Sequence, residues 1–338
     1  MRIKFNAVVQ PITRRSLLGA AAAAAAAPAL GQTTVPVCPI GPPPHDKGPR
    51  VWMEMDQVEL DAAYDQIYYS PLQVQIIRRL ASNSELTRAR IGAPRREAYG
   101  PTEPQQLDIH RTARPNSPIF VFIHGGAWLV GEAKNYAYAA EMFVNAGAHF
   151  VVLDFVAIEP AGGDLQMMAD QVRRGVAWVY KNATSFGGDA NRLYIGGHSS
   201  GGHLCGVTLV TDWQKDFGLP ADIIKGGLCM SGLYDMKPVR LSKRSSYIKF
   251  TDEMEQAMSS QRHLDLLSAP VICTYGTNET PEFQRQNRDF AAAVRAVGKP
   301  VELIEAANYN HFEMLESLAH PYGPNGRAAL ALMKLAPV

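Results

Sequence analysis

After Gly100-Pro101 the chain settles into an alternation that few architectures satisfy: short apolar runs separated by longer amphipathic stretches. The runs fall at 106–110, 119–123, 150–155, 193–196, 227–230, 271–275 and 301–304, with helical candidates near 137–146, 165–180, 202–211, 283–297 and 326–334. Several runs are apolar without a break, as strands covered on both faces are. Strand and helix in alternation predict a mostly parallel sheet flanked by helices in one α/β domain. Ligands of such sheets gather beyond the carboxyl ends of the strands, so the residues just after each run are where chemistry is sought.

Two glycine-rich turns stand at such positions. Gly197-His198-Ser199-Ser200-Gly201 follows the run Leu193-Tyr194-Ile195-Gly196 and precedes a helical stretch. A serine at the tip of a tight strand-to-helix turn is exposed for attack; glycines on either side remove side chains that would crowd it, and the helix N-terminus favours developing negative charge. His124-Gly125-Gly126-Ala127-Trp128 ends the run Ile119-Phe120-Val121-Phe122-Ile123. Paired glycines there let the N–H groups of Gly125 and Gly126, together with that of Ser200, point at a bound oxygen. Trp128 and His198 flank these turns and are the candidate substrate contacts, with Tyr68 and Tyr69 as further aromatic walls.

A serine is a poor nucleophile unless a base, held by a third group, takes its proton. His311, in Asn308-Tyr309-Asn310-His311-Phe312 after the last run, is the best placed histidine; His320, in a proline-flanked segment, is the weaker choice. His203, inside the helix that follows Ser199, suits a structural hydrogen bond. The acid is expected between nucleophile and histidine in the chain. Glu279, just off the run 271–275, is preferred, with Asp235 and Glu282 as contenders. No metal or organic cofactor is expected.

Residues 1–31 follow different rules. Arg2, Lys4, Arg14 and Arg15 precede an alanine-dominated run that closes on Pro28-Ala29-Leu30-Gly31. A basic head, a short apolar stretch and small residues at its end describe an export signal, and Arg14-Arg15 before Ser16-Leu17-Leu18 resembles the twin-arginine type. The run is shorter than the roughly 20 residues that span a bilayer. The expectation is a periplasmic or secreted protein that engages the twin-arginine export machinery and has no stable membrane anchor.

Residues 32–54, with Gly41-Pro42-Pro43-Pro44, read as an extended arm, and 55–338 as a single domain. That domain opens on an N-terminal helical arm, marked by Leu60, Ala63, Tyr64 and Ile67 and then Leu72, Ile76, Ile77 and Leu80. The polar, irregular stretch 236–267 is expected to form a small cap. The chain carries 33 Lys and Arg against 32 Asp and Glu; beyond residue 31 the balance is 29 to 32, or −3. Without a basic block, a nucleic-acid partner is excluded from the expectations. Cys229 and Cys273 sit in apolar runs and Cys205 in a helical one, where a small buried hydrophobe is the usual role; export after folding would bury them before they meet an oxidising compartment.

The chain resembles the α/β-hydrolases, and within them the bacterial kynurenine formamidase-like (arylformamidase-like) carboxylesterases. The resemblance is carried by His124-Gly125-Gly126, by Gly197-His198-Ser199-Ser200-Gly201-Gly202-His203-Leu204, by Gly232-Leu233-Tyr234-Asp235, by Glu279-Thr280-Pro281-Glu282-Phe283 with Gln286, and by Asn310-His311-Phe312. It spans about residue 55 to the C-terminus. It implies Ser199 as nucleophile, Glu279 as acid and His311 as base. Aspartate is commoner at the acid position, an aromatic residue is commoner directly after the two glycines, and Lys243-Arg244-Ser245-Ser246 departs most; substrate specificity therefore does not carry over. The expected activity is cleavage of small aryl or alkyl esters through an acyl-enzyme. Amide, formamide or carbamate hydrolysis is the alternative, and a non-catalytic binding module a distant third.

Overall fold

The computed structural model describes residues 41–337. The expected export signal, the first part of the arm and Cys38 lie outside the described residues. Eight strands form one sheet: β1 (Arg95–Ala98), β2 (Gln106–His110), β3 (Ser117–Ile123), β4 (His149–Leu153), β5 (Gly188–His198), β6 (Ile224–Met230), β7 (Val271–Gly276) and β8 (Val301–Ala306). Their order is β1-β2-β4-β3-β5-β6-β7-β8. β2 is antiparallel to both β1 and β4, and every other pairing is parallel. The mostly parallel sheet expected from the alternation is present. β1 was not among the expected runs, because Arg95-Arg96-Glu97 carries three charges and its side chains are at most half-buried at the sheet edge.

Register brings the carboxyl ends together. Ile123 pairs with Gly197, His198 with Met230, Met230 with Thr274, and Gly276 with Ala306. The segments that leave β3, β5, β6, β7 and β8 therefore emerge along one edge of the sheet.

Eleven helices complete the described residues: α1 (Gln57–Ala63), α2 (Gln73–Ile91), α3 (Ala140–Ala146), α4 (Leu165–Asn182), α5 (Ser200–Leu209), α6 (Trp213–Phe217), α7 (Met236–Leu241), α8 (Asp252–Met258), α9 (Pro281–Ala296), α10 (His311–Glu316) and α11 (Pro324–Leu332), with short 3-10 turns between them. α4 starts where Asp164 accepts the N–H groups of Gln166 and Met167, and it buries Leu165, Met168, Val172, Val176 and Val179 at helical spacing. α5 is buried on all sides.

The sheet divides two cores. On β3, Ile119, Val121 and Ile123 enter the core shared with α4, α5 and α9, while Phe120 and Phe122 enter the other with α3 and α11. This period-two split of a fully buried strand is why its sequence shows no polar alternation. Stretch 236–267 departs from the polar, irregular segment expected. It folds as α7, α8 and 3-10 turns, and Met236, Val239, Ile248, Met254, Met258 and Leu267 join the first core. Its helices are too short for a periodicity to show. The described part of the arm is held by Asp56, which accepts the N–H groups of Gly48 at 2.8 Å and Glu59 at 3.0 Å and caps α1.

His110 on β2 is buried, both its ring nitrogens lack partners among the described residues, and burial pushes its pKa down to about 4. The unfolded chain takes up that proton near 6.5. The proton-linked cost of burying His110 is therefore absent above that value, and stability falls as pH drops from there toward 4. His110→Phe, beside Phe150 at 6.3 Å, should gain on the order of 1 kcal/mol more at pH 5.5 than at pH 7.5. Urea midpoints of both proteins at both pH values check this; a gain independent of pH would refute it.

Candidate active site

The turn between β5 and α5 is built from backbone crowding. A Cβ on Gly197 would overlap the carbonyl oxygen of Gly201, and one on Gly201 would overlap the carbonyls of Ile123 and His124. Only glycine lets the ends of β3 and β5 approach this closely. Ser199 sits between them at φ 59°, ψ −124°, a conformation that costs a non-glycine residue about 1–3 kcal/mol and clusters at functional sites. Its N–H donates to the carbonyl of Met230 at 3.0 Å, and its own carbonyl accepts from His203 N–H.

The glycine turn after β3 lies directly on this serine. A Cβ on Gly125 would stand 2.7 Å from the His198 carbonyl oxygen and 3.1 Å from Ser199 Cβ. Gly126, Ala127 and Trp128 all have positive φ, at 119°, 57° and 64°. The coil is pinned at both ends: Trp128 N–H donates to Ser200 Oγ at 3.2 Å, and Leu129 and Val130 N–H groups share the Gly126 carbonyl. Among the described residues the N–H groups of Gly125 and Gly126 have no acceptor. His124 is sandwiched between Phe155 at 4.3 Å and Tyr136 at 5.3 Å, and its Nδ1 reaches the Gly125 carbonyl at 2.9 Å.

His311 opens α10, where Asn310 and Glu313 form a reciprocal cap. Its Nδ1 meets Glu279 Oε2 at 2.7 Å, and both groups are buried. Glu279 Oε1 accepts Ser231 Oγ–H at 2.6 Å and Gly276 N–H at 2.7 Å. These bonds meet the need of a buried carboxylate for donors. Gly276 is also where the loop before α10 docks, since a Cβ there would overlap the Tyr309 carbonyl. Phe283 packs edge-on to the His311 ring at 4.8 Å.

The contending acids are engaged elsewhere. Asp235 caps α7 through Lys237 N–H and accepts Arg262 at 2.8 Å. Glu282 forms two 2.7 Å bonds to Arg285 and accepts Tyr64 O–H at 2.9 Å. His320 is exposed and its Nδ1 accepts Tyr322 N–H.

The expected substrate contacts stand differently. His198 is buried; its Nε2 donates to the His311 carbonyl at 2.9 Å, and its ring lies 4.4 Å from that of His311. Burial, then the neighbouring His311, push its pKa well below the usual value, so it stays neutral. It holds the backbone of His311 instead of facing an opening. Trp128 is likewise buried, with its indole N–H donated to His203 Nδ1 at 3.2 Å. His203 Nε2 donates to the Met258 carbonyl, and burial takes its pKa to about 4. Tyr68 is exposed and Tyr69 half-buried, while Tyr64 lies 6.1 Å from Phe283. Ser231, whose hydroxyl donates to Glu279, escaped sequence reasoning. Ser231 had one usable signal, its place directly after β6.

The BD-FAE family matches residues 107–221, which include both glycine turns. The chain is 29% identical to the kynurenine formamidase of Danio rerio over 280 residues, covering 79% of this chain and 93% of that one. It is 25% identical to esterase LipC of Mycobacterium tuberculosis over 248 residues, 66% of this chain and 60% of the other. A solved structure from Silicibacter sp. superposes with a TM-score of 0.72 at 21% identity, over 82% of this chain and 99% of its own. An esterase structure from Thermogutta terrifontis superposes at 0.59 with 17% identity, over 73% and 95%. With its sheet order, its strand-to-helix turn at a serine and these likenesses, the chain has the α/β-hydrolase fold and is similar in sequence to kynurenine formamidases and esterases.

Proposed function

We propose that the protein is an exported serine hydrolase that cleaves small aryl or alkyl carboxylic esters through an acyl-enzyme, with Ser199 as nucleophile, His311 as base and Glu279 as its partner. The observation that carries this is the buried 2.7 Å contact of His311 Nδ1 with Glu279, whose carboxylate meets no Lys or Arg among the described residues. With Nδ1 on the carboxylate, Nε2 is the nitrogen left to take a proton. His311 Nε2 removes the Ser199 hydroxyl proton as Oγ attacks the ester carbon, and the carbonyl electron pair moves onto oxygen. The N–H groups of Gly125, Gly126 and Ser200 hold that oxyanion; removing one such donor typically costs about 2.7–4 kcal/mol. The pair collapses back, the ester C–O bond breaks, and His311 returns the proton to the leaving oxygen. Water repeats the sequence on the acyl-enzyme and frees Ser199.

Formamide or other activated amide hydrolysis is the second reading, favoured by the likeness to kynurenine formamidases. The signal-like residues 1–31 favour esters, because an exported enzyme would not meet a tryptophan catabolite formed inside the cell. The chain would reach the periplasm or the medium through the twin-arginine route and act there on a small-molecule substrate.

Ser199→Ala should lower kcat for a p-nitrophenyl ester by about 10⁴-fold or more and abolish the fluorophosphonate adduct while circular dichroism is unchanged. An unaltered rate would mean a different nucleophile. Glu279→Gln should cost roughly 10²–10⁴-fold, whereas Asp235→Asn stays within about threefold; the reverse ranking would reassign the acid. Comparing kcat/KM for p-nitrophenyl butyrate and N-formylkynurenine should favour the ester, and a preference for the formamide would establish the second reading. Finally, Arg14→Lys with Arg15→Lys should retain the protein in the cytoplasm, as fractionation and immunoblotting would show; unchanged export would exclude the twin-arginine route.

A further inference from the structure

Arg244 stands in the turn that follows α7, and the structure buries it: 8% of its surface is exposed. A guanidinium keeps its charge in any protein, so burial normally demands a carboxylate partner. None lies within ion-pair distance among the described residues. Arg244 Nη1 donates to Tyr247 Oη at 2.7 Å and Nη2 to the Tyr64 carbonyl at 2.8 Å, both uncharged acceptors. Nε is buried without an acceptor among the described residues. The π faces of Trp128 at 5.4 Å and Tyr64 at 6.0 Å offer partial compensation. Glu282, reached through the Tyr64 hydroxyl, is already engaged by Arg285.

The position of this cation matters as much as its solitude. Trp128 is the residue whose N–H is fixed on Ser200 Oγ at the end of the glycine coil. Tyr64 packs on Phe283, which packs on His311. Arg244 is thus bracketed by the aromatic residues that back the two sides of the proposed catalytic group. We infer that Arg244 is the specificity-determining residue of this site and that its missing counter-charge is a carboxylate carried by the substrate. The substrate class is an ester with a free carboxylate near the scissile bond, on the acyl side or on the leaving group; this rests on the serine-hydrolase reading above.

The test uses two matched pairs of esters: p-nitrophenyl hemisuccinate against p-nitrophenyl butyrate, and 4-carboxyphenyl butyrate against phenyl butyrate. The full-length protein should show a kcat/KM at least about tenfold higher for the anionic member of one pair, and Arg244→Gln should lower that ratio by roughly ten- to a hundredfold, with Arg244→Lys between them. Equal losses for both members, or no anionic preference in either pair, would make Arg244 a purely structural clamp and overturn the inference. A binding readout separates it from catalysis. Benzoate, and not benzamide, should raise the melting temperature of the unmodified protein and of Ser199→Ala, and should do so less for Arg244→Lys. If Arg244→Gln does not fold, the ester ratio of the unmodified protein, the Lys variant and the benzoate shift decide the matter. Should fluorophosphonate fail to label Ser199 while benzoate still binds through Arg244, the hydrolase reading falls and the anion site stands; absence of the benzoate shift overturns the anion site.

Discussion

The close approach of three pieces of backbone, the end of β3, the end of β5 and the start of α5, is the constraint on which the rest of the structure depends. Gly197 and Gly201 permit it, since any Cβ at either position would overlap a carbonyl oxygen. Ser199 takes up the resulting strain at positive φ, and the glycine turn after β3 is pressed against its Cβ. Such strain persists only where surrounding structure over-determines it. Here that role falls to the fully buried β3, to α5, buried on all sides, and to the hydrogen bond from Ser199 N–H to β6.

A second crowding places Glu279 and His311. Gly276, at the end of β7, lets the 309–311 loop lie on the strand end, and this sets the distance between the carboxylate and the imidazole. The other oxygen of Glu279 is held by two donors, Ser231 Oγ–H and Gly276 N–H. His198 then ties the His311 backbone to the residue just before Ser199. The imidazole of His198 thus links the backbone before the proposed nucleophile to the backbone of the proposed base.

Opposite these satisfied groups stands Arg244, a buried cation held by a hydroxyl and a carbonyl and flanked by two aromatic rings. A chain can keep such an imbalance when folding free energy from the two cores outweighs it and a ligand later relieves it. The segment that supplies Arg244 packs into the first core through Met236, Val239 and Ile248, so its position is rigidly defined.

The fold class, the strands after β1, and the serine and histidine turns were legible because each depends on local chemistry: apolar runs without alternation, glycine at turns, a capping residue before a helix. β1 was hidden, since charged residues at an antiparallel edge carry no apolar signal. So were the helices of 236–267, whose buried residues are too few per turn to form a pattern. The sequence left Glu279, Asp235 and Glu282 all open as acids near strand ends, and only the tertiary structure shows Glu279 against His311 while arginines engage Asp235 and Glu282. The same holds for Trp128 and His198, which sequence position puts beside the site and packing turns inward. By itself the sequence determined which backbone positions must be glycine and which runs must be buried, because those demands are local. The pairing of charges and the choice between wall and core belong to the tertiary structure, because they depend on which distant segments arrive within a few ångströms.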